Sequence, residues 1–260
     1  MGATYRPIAS TYIYLALTYF VRGDLTDAEG ALVRADRRAG QLGFPQGPFS
    51  LAYTRFVETW IRTDAGQLDH AGRVVADLLE LAERHGFERW RLLGNLRQAI
   101  VWAQAALGAD DVEPAALSAH IATLTELLET MRATGLRAWV TSFDAVLARL
   151  LTAAGQPDQA HARLAAALQL AQDTGMHFYD AELVRLRART QTDPDARRAD
   201  ISAALKLARR QGATLFELRA TLDDFELRGQ PVRAALLDVV SRFPADSPLP
   251  ELAQARALLH

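Results

Sequence analysis

Thr141–Leu170, TSFDAVLARLLTAAGQPDQAHARLAAALQL, is the stretch that decides the fold. Leu147, Ala148 and Leu151 recur at i, i+1 and i+4, on one face of a 3.6-residue helix. Gly155-Gln156-Pro157-Asp158 then interrupts the pattern. Glycine tolerates the left-handed backbone at a helix end, and proline cannot continue the preceding helix. Ala160, Leu164 and Ala167 form the stripe of a second helix that faces the first. The small residues Ala148 and Ala160 permit close approach, and the larger side chains fill the gaps beside them.

The same punctuation runs through the chain. Inner turns begin at Gly23-Asp24, Gly66-Gln67, Gly155-Gln156 and Gly229-Gln230, each with an alanine five residues after its glycine: Ala28, Ala71, Ala160 and Ala234. In these turns glycine ends one helix and an aspartate caps the next. Outer turns pair a glycine with an apolar residue: Gly43-Phe44, Gly86-Phe87, Gly135-Leu136, Gly175-Met176 and Gly212-Ala213. The outer glycines are 43, 49, 40 and 37 residues apart, longer than the roughly 34 of a minimal tetratricopeptide repeat. The expectation is an all-α chain of about six tetratricopeptide-like hairpins, a single α-solenoid over 1–260.

The first hairpin carries its stripe at Tyr12, Leu15, Ala16 and Tyr19, and 251–259 forms a terminal capping helix. Ala109-Asp110-Asp111-Val112-Glu113-Pro114 is an enlarged inner loop. No segment alternates with period two between turns, which argues against sheet.

Composition narrows the function classes. Half of the 260 residues are hydrophobic, Gly and Pro are only 16 and 10, and the net charge is −2. A large core is therefore available, and no global field draws the chain to nucleic acid. There is no cysteine, so thiolate chemistry is excluded. No apolar run reaches membrane-spanning length and no secretory leader pattern is present, so the expectation is a cytoplasmic protein with no membrane partner.

Four phrases carry a resemblance: PFSLAYTRFVETW at 48–60, LLELAERHGFERW at 78–90, GMHFYDAELVRLRA at 175–188 and DSPLPELAQARALL at 246–259. Their order and spacing resemble the C-terminal helical-repeat region of large bacterial ATP-binding regulators. These join an AAA-like signalling ATPase to a cyclase-like or LuxR-type DNA-binding domain. The resemblance implies a right-handed superhelix and a sensor or interaction arm that binds an inducer or a protein. Where that family reads Glu-Leu-His-Arg-Leu, this chain has Glu182-Leu183-Val184-Arg185-Leu186. It also lacks the Gly-Lys-Ser/Thr of a P-loop, its one lysine being Lys206 after Leu205.

Catalytic and metal motifs are missing. The six histidines, His70, His85, His120, His161, His177 and His260, form no metal-ligand spacing. Asp110-Asp111 and Asp223-Asp224 are adjacent residues, which point about 100° apart on a helix and make poor acid–base couples. The expectation is a non-enzyme with no cofactor or metal. Glu182–Arg210 has a local charge of +4 and is read as a solvated helix face.

Candidate binding residues come from a stripe. Aligning the second and third hairpins pairs Phe49, Tyr53, Phe56 and Trp60 with Arg91, Asn95, Gln98 and Trp102, each set on one helix face. Phe49, Tyr53 and Phe56 suit inter-hairpin core. Arg91, Asn95 and Gln98 are costly to bury unpaired and so suit an exposed groove. Glu182 and Arg185, three apart on a helix surface, would flank that groove beside Tyr179. The readings left open are a protein or peptide partner, such as a regulatory ATPase, a small-molecule inducer, or a homo-oligomeric scaffold.

Overall fold

A computed structural model describes residues 9–109 and 114–259. Among the described residues there are thirteen α-helices and no strand. They are α1 (Ala9–Val21), α2 (Leu25–Ala39), α3 (Gln46–Asp64), α4 (Leu68–His85), α5 (Glu88–Leu107), α6 (Pro114–Ala133), α7 (Val140–Ala153), α8 (Pro157–Thr174), α9 (Asp180–Thr190), α10 (Pro194–Gln211), α11 (Thr214–Arg228), α12 (Arg233–Ser241) and α13 (Pro250–Leu259). Consecutive helices pack as hairpins, among them α1 with α2, α3 with α4, α7 with α8 and α9 with α10. First helices also touch one another, α1 with α3, α7 with α9 and α9 with α11. This is the all-α hairpin repeat that the turn spacing predicts. The contacts gather into two compact units, Met1–Val101 and Trp102–His260.

Helix ends follow local chemistry. Asp24 caps α2 by accepting from the Asp27 N–H at 3.0 Å, and Asp193 caps α10 in the same way from Asp195. Pro194 opens α10, and Arg209 and Arg210 close it, which suits the helix dipole at both ends. Gly86 ends α4 at φ 66, a left-handed backbone that a side chain would strain. Aspartates do not cap every inner turn. Gln67 and Gln156 occupy the cap positions of α4 and α8, and Asp69 and Asp158 lie in the first helical turn.

The central stripe is as expected: Leu147, Ala148, Leu151, Ala160, Leu164 and Ala167 are all buried. In unit 2, Val184, Ala204 and Ala220 bring α9, α10 and α11 together over Leu168 and Leu207. Three details differ from the sequence reading. The buried face of α1 is Ala9, Ile13, Ala16, Leu17 and Phe20, and Leu15 is exposed. Helix α2 ends at Gly40 in a right-handed conformation, so Gly43 is not its terminal glycine. At the last inner turn a 3-10 turn, Gln230–Val232, follows Gly229, and Val232 is buried where Ala234 is exposed. The enlarged loop at Asp110–Glu113 lies outside the described residues.

Outer turns carry a second regularity. An aromatic stands four residues after Gly86, Gly135, Gly175 and Gly212, as Trp90, Trp139, Tyr179 and Phe216. In unit 2 these link through Phe178: Trp139–Phe178 at 5.5 Å, Phe178–Tyr179 at 5.7 Å and Tyr179–Phe216 at 5.3 Å between centroids. The two edge-on pairs, Trp139–Phe178 and Tyr179–Phe216, add about 0.5–1.5 kcal/mol each beyond their burial.

Two glycines should respond oppositely to alanine. A Cβ on Gly47 would meet the Leu42 carbonyl oxygen at 2.4 Å and that of Ala39 at 3.0 Å, whereas one on Gly72, inside α4, meets nothing within 4 Å. In urea unfolding followed by circular dichroism, Gly47→Ala should cost about 1–3 kcal/mol. Gly72→Ala should add about 0.5–1 kcal/mol.

Candidate functional site

In unit 1 the first helices α1 and α3 lie side by side. Tyr14 on α1 meets Tyr53 on α3 edge-on at 6.2 Å, and Tyr53 stacks on Trp90 at 5.5 Å. Trp90, in the first turn of α5, contacts Phe49 at 5.3 Å, and Phe49 contacts Phe87 at 5.8 Å. The rings continue through His85 to Phe44, at 5.5 and 5.9 Å. Trp90 is buried, but Tyr14 and Phe49 are 55% and 42% exposed and Phe44 is more so. Burial and the hydroxyl hydrogen bond with Tyr14 push the Tyr53 phenol well above its ordinary pKa.

Beneath this surface lies a buried cation that the stripe analysis missed. The Arg97 guanidinium, 2% exposed, lies over Phe56 at 4.4 Å and over Trp60 at 5.2 Å. The ring faces supply negative potential that offsets part of its desolvation. The signal was present, since Arg97 shares a helix face with Leu93 and Ile100, four residues before it and three after. Phe56 and Trp60 are therefore core, whereas Phe49 is largely surface.

The remaining stripe residues separate. Arg91 is exposed and pairs with Glu88 through Nε at 3.0 Å. Asn95 and Gln98 are half-buried. Trp102, the first residue of unit 2, is 55% exposed.

Tyr179, Glu182 and Arg185 are buried in unit 2, which corrects the expectation of a helix-surface pair. Arg185 donates to Glu182 Oε2 from Nε at 2.8 Å and to Oε1 from Nη2 at 2.7 Å. Its Nη1 donates to Asp223 on α11 at 2.8 Å, and Asp223 also accepts from Arg189 at 2.9 Å. Arg219 lies 3.6 Å from Glu182 and donates to Glu251 on α13 at 2.6 Å. The reason for burial is topological. Helix α9 is flanked by α7 and α11, so its polar face meets neighbouring helices. Burial alone would raise the Glu182 pKa, but Arg185 and Arg219 hold it down to about 2.

A second node joins α6, α7 and α8. Asp144, buried, accepts from Arg132 Nη2 at 2.6 and 2.7 Å and lies 3.5 Å from Arg163. Its burial outweighs both cations, and its pKa is raised. Within the basic stretch, Arg185, Arg187, Arg189, Arg197, Arg198 and Arg209 each pair with a carboxylate. Its positive charge is thus largely neutralised.

Among the described residues no cluster of three or more His, Cys, Asp or Glu is placed to hold a metal, and no helix is long and apolar enough to cross a membrane. Asp223 and Asp224 diverge, with Asp224 paired to Arg228. His260 and Asp110-Asp111 lie outside the described residues. No protein-family model matches the chain, and no curated protein shows significant similarity to it.

The Glu182 network makes stability depend on acid. Its folded pKa lies below that of an unfolded glutamate, so its contribution is full above about pH 4.3 and is lost as pH falls toward 2. Glu182→Ala leaves Arg185 under-neutralised and should cost about 3 kcal/mol at pH 7. Its melting temperature should converge on that of the parent chain as the pH is lowered through this window. A gap that stays constant would contradict the assignment.

Proposed function

We propose that this chain is a non-catalytic protein-interaction or sensor module of a bacterial signalling or transcription regulator. In this reading it is a cytoplasmic relative of the helical-repeat arms of ATP-binding regulators. Its partner is a protein or peptide that lies across the first-helix layer of unit 1. The observation that carries the reading is the exposure of Tyr14 and Phe49 at intervals along one continuous chain of rings.

Rigid aromatic side chains bury much area at little entropic cost, and together with arginine they dominate binding hot spots. Arg91 follows Trp90 directly in α5 and supplies such a cation beside the rings. Its partner Glu88 is on the surface, so the pair is weakly held and can be exchanged for a partner carboxylate. Occupancy of the layer would bias the packing of α1 against α3, which transmits binding to an attached ATPase by population shift.

The test is capture of partner from native-host lysate on the immobilised chain. A Phe49→Ala, Arg91→Ala double variant should lose at least about tenfold in affinity, the cost of one hot-spot residue. Its helicity should be unchanged by circular dichroism. Undiminished capture by a folded double variant would remove this surface from consideration.

A further inference from the structure

We propose that unit 2 carries a binding site for a free α-amino acid with an apolar side chain, in the cleft where α6, α7 and α8 meet. The cleft has a volume of about 280 Å³ and is lined by Arg132, Leu136, Arg137, Val140, Leu170 and Asp173. Two cations, one carboxylate and three aliphatic side chains thus face one small space. A simple anion would lie against Asp173, and a simple amine against two guanidiniums. A neutral apolar molecule would desolvate three charges without pairing them. A zwitterion with an aliphatic side chain matches all three groups of lining residues.

The polar groups are held in place. Arg132 is anchored at the end of α6 by its two Nη2 bonds to buried Asp144, which leave its Nε and Nη1 as further donors. Arg137, in the turn before α7, is exposed and makes no ion pair among the described residues. Asp173 lies in the last turn of α8 and is oriented by a hydrogen bond from Gln169 at 2.9 Å. An ammonium near the C-terminal end of α8 also matches that helix's dipole.

The turn that presents Arg137 and Val140 is strained. Trp139 has φ 69, the one positive value among the described non-glycine residues, and it is kept there by edge-on packing against Phe178. Such a backbone costs of order 1–3 kcal/mol for a bulky residue, so it persists only where surrounding packing imposes it.

The site is separate from the unit 1 surface, and either can fail without the other. The experiment is isothermal titration calorimetry of the full chain with L-leucine, 4-methylpentanoate (no ammonium) and isopentylamine (no carboxylate). Leucine should bind the parent chain more tightly than either analogue. Arg137→Ala should weaken leucine about tenfold, the loss of one charge-assisted hydrogen bond, and should not weaken isopentylamine. Asp173→Asn should weaken leucine and leave 4-methylpentanoate unaffected. Both residues are exposed, and circular dichroism checks that the variants fold. The absence of leucine binding at millimolar concentration overturns the proposal. So does binding that neither substitution changes, or analogues that bind as tightly as leucine.

Discussion

Helix–helix contact in this protein rests on alanine. Ala28, Ala31 and Ala35 on α2, Ala160, Ala167 and Ala171 on α8, and Ala204 and Ala208 on α10 have no exposed surface. These three second helices therefore present a smooth stripe, and neighbouring helices approach until leucine and phenylalanine side chains interlock beside it. The fully buried phenylalanines Phe20, Phe56, Phe143 and Phe216 are on first helices. In the hairpins of α2, α8 and α10 small residues on one helix thus face large ones on the other, whereas α6 buries Leu124, Leu128 and Met131.

Close packing of first helices has an electrostatic consequence. Glu182 and Arg185 on α9 are closed off from solvent, with α7 and α11 packed on that helix, so their charges are met inside the layer. Glu182, Arg185, Asp223, Arg219 and Glu251 do this across α9, α11 and α13. The net gain from such buried pairs over an apolar core is small, but each sharply penalises the loss of its partner. The network therefore acts on register. One arrangement of α9 against α11 satisfies every charge, and a slip of one turn strands several. In unit 1 the buried Arg97 guanidinium lies over the ring faces of Phe56 and Trp60.

The same logic separates structure from the candidate sites. Groups that the packing consumes, Trp60, Tyr179, Glu182 and Arg185, are already satisfied and have little left to offer a ligand. Groups that keep a large exposed surface are Tyr14, Phe49 and Arg91 in unit 1, and Arg137 and Asp173 in unit 2. Sequence spacing placed Arg91 in one candidate set with Trp60, Tyr179, Glu182 and Arg185, because exposure depends on neighbours that are remote in sequence.

Hairpins and most helix ends were determined by the sequence itself. Their signals, a 3.6-residue stripe, a turn glycine, Pro157 or Pro194 at a helix start, act over a few residues and need no partner. Even so, local repetition misled at Gly229, where the motif recurs but a 3-10 turn shifts burial from Ala234 to Val232. In α1 the apolar face was misplaced because Tyr12, Leu15 and Tyr19 also have large apolar bodies at helical spacing, whereas Ile13, Leu17 and Phe20 are the ones buried. Only the tertiary structure decided which charges meet and which rings join. Arg185 and Asp223 are 38 residues apart, and their 2.8 Å bond exists because α9 packs on α11. A periodic pattern identifies the face of a helix; the identity of the neighbour on that face is a property of the packed chain.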